Sequence, residues 1–465
     1  MNAITLETLF SQPEVELMNV IKDVYKEEIH RLTRAYAIWT EKSPLGQPSS
    51  PSQLLCEDKV TQYDEVNRTV VSVLALRWIF NGKYEQFVSG QPEAVKLRKA
   101  SFEWLRKVVI NTLQTDDDVQ TLVTSIMIND LGKDNLFAED YNNLTTQTMS
   151  TNHDMILLQV AKAVDKAART KDGEASEKDK AVIALIPSFG KLNGTQRNQI
   201  LQGLRLGSFF NFGQLAQAEN APASLQAVRD MEPKLDETSF QLHVVEQLLD
   251  VAGAAGHVYW TSARKLIEPI LEAYRTVNEV VIDVMSRKLS PRQGYDSILK
   301  RREGRLRGLG FRPLSVYIPS ERALLRILCM GGVADLNMAE LYYRVWNVVG
   351  EDKKLVKALN IDGSIDEPAV QPTYMPALLA QAISSCRNDT AATEMALTSV
   401  LRFLACVMCL SPAEVKNACP VMERNVLEMV WLVQESVFPD NPEILKRKKM
   451  PIATPALPTC SLIGN

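Results

Sequence analysis

The spacing of apolar residues narrows the fold more than any other feature of this chain. Along most of its length they recur every three or four residues, the period that lines them up on one face of an α-helix. Segments 13–40, 58–81, 94–114, 118–131, 154–169, 195–206, 236–255, 258–289, 320–331, 337–349, 373–386, 390–410 and 412–436 all carry this pattern. Alternating β-branched runs bounded by turn residues are almost absent. The predicted class is all-α.

Breakers fall where a helical protein needs connections: a Pro/Ser stretch at 43–53, a polar stretch at 169–180 and a Gly/Pro stretch at 361–372. None is long enough to read as an interdomain linker, and no repeat period marks a solenoid. With 465 residues, the expectation is one large helical domain over 1–450. An N-terminal helical subdomain over 1–115 is the alternative division, and 451–465 reads as a flexible tail.

The net charge of −4 gives no global basic field, which argues against nucleic acid as a partner. The N-terminal stretch "MNAITLETLFSQPEVEL" lacks the basic and apolar regions of a secretory signal, so a cytoplasmic location is expected. No run approaches eighteen apolar residues, and stable membrane insertion is not expected. The seven cysteines are scattered. Cys406 and Cys409 form a CxxC inside an apolar helical run with no second pair, which reads as buried reduced thiols. Whether the chain forms a homodimer stays open.

Several stretches carry chemistry. The acidic triplet Asp116–Asp118 precedes an apolar run, where carboxylates cap free N–H groups and suit the helix dipole. At the other end of that run, "INDLGKD" places Asn129, Asp130, Lys133 and Asp134 around Gly132. Carboxylates oppose the dipole there, so a cation, either Lys133 or a divalent ion, must compensate, or water must cover them. "TNHDM" follows with Asn152, His153 and Asp154, a site or a helix cap in a chain with only four histidines. "FFNFGQLAQAEN" sets Phe209, Phe210 and Phe212 beside Gln214, Gln217, Glu219 and Asn220. Aromatic surface next to oxygen donors suits a ligand half apolar and half polar, and such donors suit magnesium.

His243, Glu246 and Asp250 share a helical face with His257, in "HVVEQLLDVAGAAGH". HxxE occurs in di-metal bundles, which need it twice; a polar or ion-paired seam is the plainer reading, and "AGAAG" permits close helix approach. Six cations lie between Lys300 and Arg312, including Arg302 and Arg305. They suit phosphate or diphosphate, or else a solvated basic turn. Phosphate-binding loops, dinucleotide fingerprints, zinc-protease and nucleophile-elbow motifs are all missing.

Two enzyme readings follow. "MINDLGKD" looks like the HDxGK signature of HD-domain phosphohydrolases and oxygenases, but Asn129 stands where the metal-binding histidine belongs. The combination "NDLGKD", "NHD", "FNFGQLAQAEN" and "HVYWTSARKLIEPILEAYRTVNEVVIDVM" instead resembles the atypical fungal humulene synthase family of tropolone-sesquiterpenoid pathways. That group consists of class I sesquiterpene cyclases without the standard acidic motifs. The resemblance implies a helical domain enclosing a central apolar cavity. It also implies a lyase that ionises farnesyl diphosphate with Mg2+ and closes C1 onto C11 to give humulene. On it, Asn129, Asp130, His153, Asp154, Gln217, Glu219 and Asn220 become candidate holders of magnesium and its waters. Asp130, Lys133, Arg302 and Arg305 become candidate catalytic groups, the cations steadying diphosphate. Phe209, Phe212, Trp260, Thr261, Met285 and Tyr317 become candidates for the cavity wall. A non-catalytic helical binding protein is the third reading, and it needs no pocket.

Overall fold

A computed structural model describes residues 4–37, 46–145, 152–170, 175–350, 353–386, 389–415, 419–434, 438 and 441–457. Helix makes up 66% of it and strand 2%, so the chain is all-α, as its periodicity predicts. It divides into two compact units that alternate along the sequence. The first comprises residues 1–208 and 235–272, the second 209–234 and 273–465. The divisions therefore do not fall at residue 115.

The first unit is built on α1 (Asp64–Phe80), α2 (Lys99–Thr112), α3 (Asp116–Ile128), α4 (His153–Ala168), α5 (Gly194–Gly207) and α6 (Glu237–Gly253). The acidic triplet does cap α3. Asp118 accepts from the Thr115 amide at 2.9 Å while Thr115 Oγ1 accepts from the Asp118 amide at 3.2 Å, a reciprocal capping box. Asp116 accepts from the Leu6 amide at 2.8 Å and Asp117 from Asn193 Nδ2 at 3.2 Å. The most extensive helix pair is α1 with α6. It buries Val70, Val73, Leu74, Val245, Leu248 and Leu249, each contributing about 1.5–3 kcal/mol. The small residues of "AGAAG" allow this approach. A Cβ on Gly253 would sit 2.1 Å from Ser72 Oγ and 2.4 Å from the Arg68 carbonyl, and one on Gly256 2.7 Å from the Asn67 carbonyl.

The second unit contains α7 (Pro291–Gly308), α8 (Pro319–Met330), α9 (Met375–Ser385) and α10 (Thr390–Val407). It also holds a small sheet of β1 (Ala369–Gln371), β2 (Val421–Glu423) and β3 (Thr454–Pro455). β1 runs parallel to β2 with Ala369 opposite Val421, and β3 runs antiparallel to β2 with Thr454 opposite Glu423. Ala221, Ala223, Cys419, Val421, Met422 and Leu457 bury around it, with Phe209 packed alongside.

Three expectations change here. The helix expected over 412–436 is interrupted by Pro420 and β2, and resumes at Leu427–Gln434. The helix expected from 258 starts at Glu268, where Pro269 is tolerated because first-turn N–H groups have no helical partner. Residues 451–457 are no loose tail, since they supply β3 and bury Ala453 and Leu457; 458–465 lie outside the described residues.

Candidate functional site in the first unit

Asn129 is the C-cap of α3, and after Asp130 residues Leu131–Lys133 form a tight 3-10 turn. The turn puts the Asp130 and Lys133 side chains on one side, with Lys133 Nζ 2.9 Å from Asp130 Oδ1. Asp134 does not share that face. It turns to Arg31 at 3.3 Å and Arg34 at 2.7 Å, and so leaves the site. Gly132 is required where it stands, because a Cβ there would lie 2.0 Å from the His153 carbonyl. "NDLGKD" and "NHD" therefore meet through backbone contact at a glycine. Asn152 is the N-cap of α4, accepting from the Asp154 and Met155 amides at 2.9 and 3.2 Å. His153 Nε2 lies 3.2 Å from Asp154 Oδ1.

Around Asp130 gather groups from two further helices. From α1, Glu65 lies 3.4 Å from Lys133 Nζ, and Arg68 pairs with Glu65 at 2.7 Å. From α6 come Glu246 and Asp250, with His243 Nδ1 held 3.1 Å from Glu246 Oε2. A narrow cleft of about 10 Å³, room for about one water, is lined by Arg68, Thr69, Ser72, Ile126, Asn129, Asp130, Glu246 and Asp250. Tyr36, whose amide donates to the Lys133 carbonyl at 3.3 Å, brings a phenol toward the same charges.

Five carboxyl groups, Glu65, Asp130, Asp154, Glu246 and Asp250, thus face two permanent cations, Lys133 and Arg68. The imbalance shows in their titration. Burial, reinforced by the Asp130 charge, pushes Glu65 up to about 7. The same two causes push Asp250 up to about 6. Burial also raises Asp154, despite His153 beside it. Asp130 goes the other way. Burial opposes its charge, yet Lys133, contact with the Glu65 carboxyl and Arg68 together hold it well below the usual carboxylate range. Near neutral pH the cluster holds one firmly ionised carboxylate, Asp130, beside Glu65, which is still taking up a proton. Glu246 Oε1 is buried without a hydrogen-bond partner.

A family model described as a family of unknown function (DUF6829) matches residues 18–445. The chain belongs to that family. No curated protein matches it. No solved structure matches it either.

Within this DUF6829 member the predicted site residues separate. Asn129, Asp130, Lys133, His153 and Asp154 come together in the first unit. Glu65 and Arg68 join them without having been singled out, because on a helix as apolar as α1 they read as ordinary surface charges. Glu246 and Asp250 carried the signal of a shared helical face, now seen as one wall of the cleft. Lys133 is buried between Asp130 and Glu65, so its ammonium balances carboxylates instead of standing free for diphosphate. Trp260, also in this unit, is buried and donates Nε1–H to the Pro48 carbonyl at 2.9 Å, while Thr261 is half-buried.

The second unit holds the others. Gln217 is exposed. Glu219 is buried against the Tyr374 and Met375 amides at the start of α9, and burial pushes it up to about 8. Asn220 donates to Gln371 Oε1 at 2.9 Å. Phe212 is buried and stacks on Tyr274 with centroids 6.1 Å apart. Arg302 donates to the Val333 carbonyl, and Arg305 is half-buried in the last turn of α7. Met285 is half-buried. Tyr317 is 82% exposed and so forms no enclosed wall. The CxxC thiols, expected to be buried, are exposed and free, whereas Cys56, Cys329, Cys386 and Cys419 are free and buried.

Proposed function

We propose that the chain is a magnesium-dependent lyase of the class I terpene cyclase type, and that the cluster around Asp130 holds the metal ion against which the diphosphate of a prenyl diphosphate leaves. One observation carries this reading: among the described residues five carboxyl groups face two permanent cations at a cleft, and burial with the Asp130 charge pushes Glu65 up to about 7 and Asp250 up to about 6. A divalent cation would relieve that repulsion and displace those protons. The donors fit magnesium, being oxygens from Asn129, Asp130, Glu246 and Asp250 with Glu246 Oε1 left without a partner. Among the described residues no three His, Cys, Asp or Glu side chains are arranged to hold a metal alone. A magnesium ion there would have to keep several waters and bind through one or two carboxylates plus substrate phosphate. An HD-type transition-metal site would need converging imidazoles, but His153 and His243 each face a carboxylate neighbour.

In this reading the C1–O bond of farnesyl diphosphate breaks, and diphosphate leaves with the electron pair. C1 then joins C11, and loss of a proton gives humulene. When bound, Mg2+ supplies electrostatic stabilisation of the departing diphosphate. Lys133 and Arg68 keep Asp130 ionised and fixed in place. Glu65 and Asp250 set how many protons must leave before the cation enters.

The test incubates the purified chain with Mg2+ and farnesyl diphosphate and analyses an organic extract by gas chromatography. A C15 hydrocarbon is expected, and Asp130→Asn should lower turnover by about 100-fold or more with the circular-dichroism spectrum unchanged. Absence of any hydrocarbon from C10, C15 and C20 diphosphates would overturn the proposal.

A further inference from the structure

The basic stretch after Lys300 has a second property that its charge alone does not reveal. Residues 300–321 hold six Lys and Arg against two carboxylates, in a chain of net charge −4. The two carboxylates are already engaged. Glu303 faces Arg307 at 3.6 Å, while Glu321 accepts from the Ser315 amide at 2.7 Å and lies 3.9 Å from Arg312. Lys300 and Arg307 are seven residues apart on α7, hence on one face, and both are exposed.

The turn that follows α7 presents apolar side chains to solvent beside these cations. Leu309 is 46% exposed, Tyr317 82% and Ile318 47%. They are held there by a built turn. Buried Phe311 donates its amide to the Leu306 carbonyl at 3.0 Å and sets its ring edge-on to Tyr343, 6.2 Å between centroids. The Tyr317 amide donates to Ser315 Oγ at 3.2 Å. Lys300 Nζ lies 5.3 Å from the Tyr317 ring centroid, so the basic face of α7 and the apolar turn adjoin at this pair.

We propose that these residues, Lys300 and Arg307 with Leu309, Tyr317 and Ile318, dock the second unit on an anionic lipid bilayer surface. Cations flanking exposed aromatic and aliphatic side chains match such an interface on both counts, headgroup charge and shallow apolar depth. Tyrosine suits that depth because its ring is apolar and its hydroxyl wet. The inference stands apart from the diphosphate chemistry, because binding is read without substrate.

The test is flotation of the full chain with phosphatidylcholine vesicles, with and without a one-third share of phosphatidylserine, at about 0.1 M salt, where charges still act over ~10 Å. Binding to the anionic vesicles alone is expected. Lys300→Glu with Arg307→Glu should lower the bound fraction by about tenfold or more. Leu309→Ser with Tyr317→Ser and Ile318→Ser should lower it comparably, with thermal unfolding unchanged, since all five side chains are exposed. Failure of the unaltered chain to float with anionic vesicles overturns the proposal. Unchanged binding of either variant overturns it too. So does loss of binding to millimolar inorganic phosphate, which would mark a free-anion site.

Discussion

Two buried polar centres, one in each unit, solve the same problem in opposite ways. In the second unit Arg326, 1% exposed, donates to the carbonyls of Ala218, Glu219, Asn220, Leu359 and Val370 at 3.0–3.4 Å. Its charge is spread over neutral acceptors, and the nearby Glu219 is kept protonated into the neutral range by burial. Backbone dipoles there do the neutralising, and the hub ties the 218–220 turn to the chain around 359 and 370. In the first unit the buried groups are charges facing charges, with carboxylates in excess. The first arrangement satisfies its cation with backbone carbonyls, though Glu219 Oε1 and Asn220 Oδ1 stay without hydrogen-bond partners among the described residues. The second is finished only by protons or by an added cation, which is why we place the ligand there.

The sharpest break of this contrast is Arg326→Ala. Five carbonyls lose a donor at once, and only that of Ala218 keeps a second one among those described, the Tyr295 hydroxyl at 2.8 Å. Unsatisfied buried groups of this kind are costly, and a loss of about 3–5 kcal/mol is expected, read from the urea midpoint at pH 7. Mg2+ should restore none of it. A loss below about 1 kcal/mol would mean that Arg326 is not the organiser of its unit.

A smaller effect, and opposite in its response to metal, is expected of the first unit as pH changes. A carboxyl whose native pKa lies above its unfolded value binds more protons when folded. The stability it adds is full below the unfolded value and is lost as pH rises through the native one. Glu65, near 4.5 unfolded and about 7 folded, and Asp250, near 3.8 and about 6, both have this sign. Asp130, with its native pKa lowered, has the other sign, but its loss falls in acid below this window. Without divalent ions the melting temperature should therefore drop between pH 5 and pH 8, on the order of 5 °C. Millimolar Mg2+ should recover more of the drop at pH 8 than at pH 5. Equal recovery at both would separate the metal from these carboxyl groups.

The legibility of the two centres differs for physical reasons. Helices α1, α3 and α6 announce themselves because their buried faces repeat at the helical period, and the Asp116–Asp118 cap is local chemistry at a helix start. Asp130 and Lys133 were readable for the same reason: neighbours in sequence stay neighbours across one turn. Glu65 and Arg68 reach Asp130 only through the packing of α1 on α3 and α6, and no local pattern in α1 encodes that meeting. The sheet was missed because strands of two and three residues are too short to show alternation. Glu219 and Asn220 read in sequence as oxygen donors for magnesium, and the partners the structure gives them, Arg326, Gln371 and the start of α9, lie more than a hundred residues away. Arg326 sits inside "ALLRILCM", where a lone cation in an apolar helix gives no hint of the carbonyls it will meet.

The smallest expected effect separates the centres most cleanly. Glu219→Gln replaces a carboxyl that is mostly protonated at pH 7 by a neutral group of the same shape, and the amide oxygen can still face the Tyr374 and Met375 N–H groups. Stability at pH 7 should change by less than about 1 kcal/mol. Burial raises Glu219 from about 4.5 to about 8, so it adds its own loss of stability as pH climbs from 7 toward 9, and the amide cannot ionise. The variant should thus flatten the alkaline limb of the melting profile and leave the Mg2+ response of the first unit untouched. Asp130→Asn is nominally the same exchange, but its carboxylate is held ionised by Lys133 and Arg68, so there the amide removes a charge that two buried cations depend on. If Glu219→Gln abolished the Mg2+ response as Asp130→Asn should, Glu219 would return to the metal shell assigned to it by the family resemblance. An unaltered response leaves it as the neutral anchor of α9.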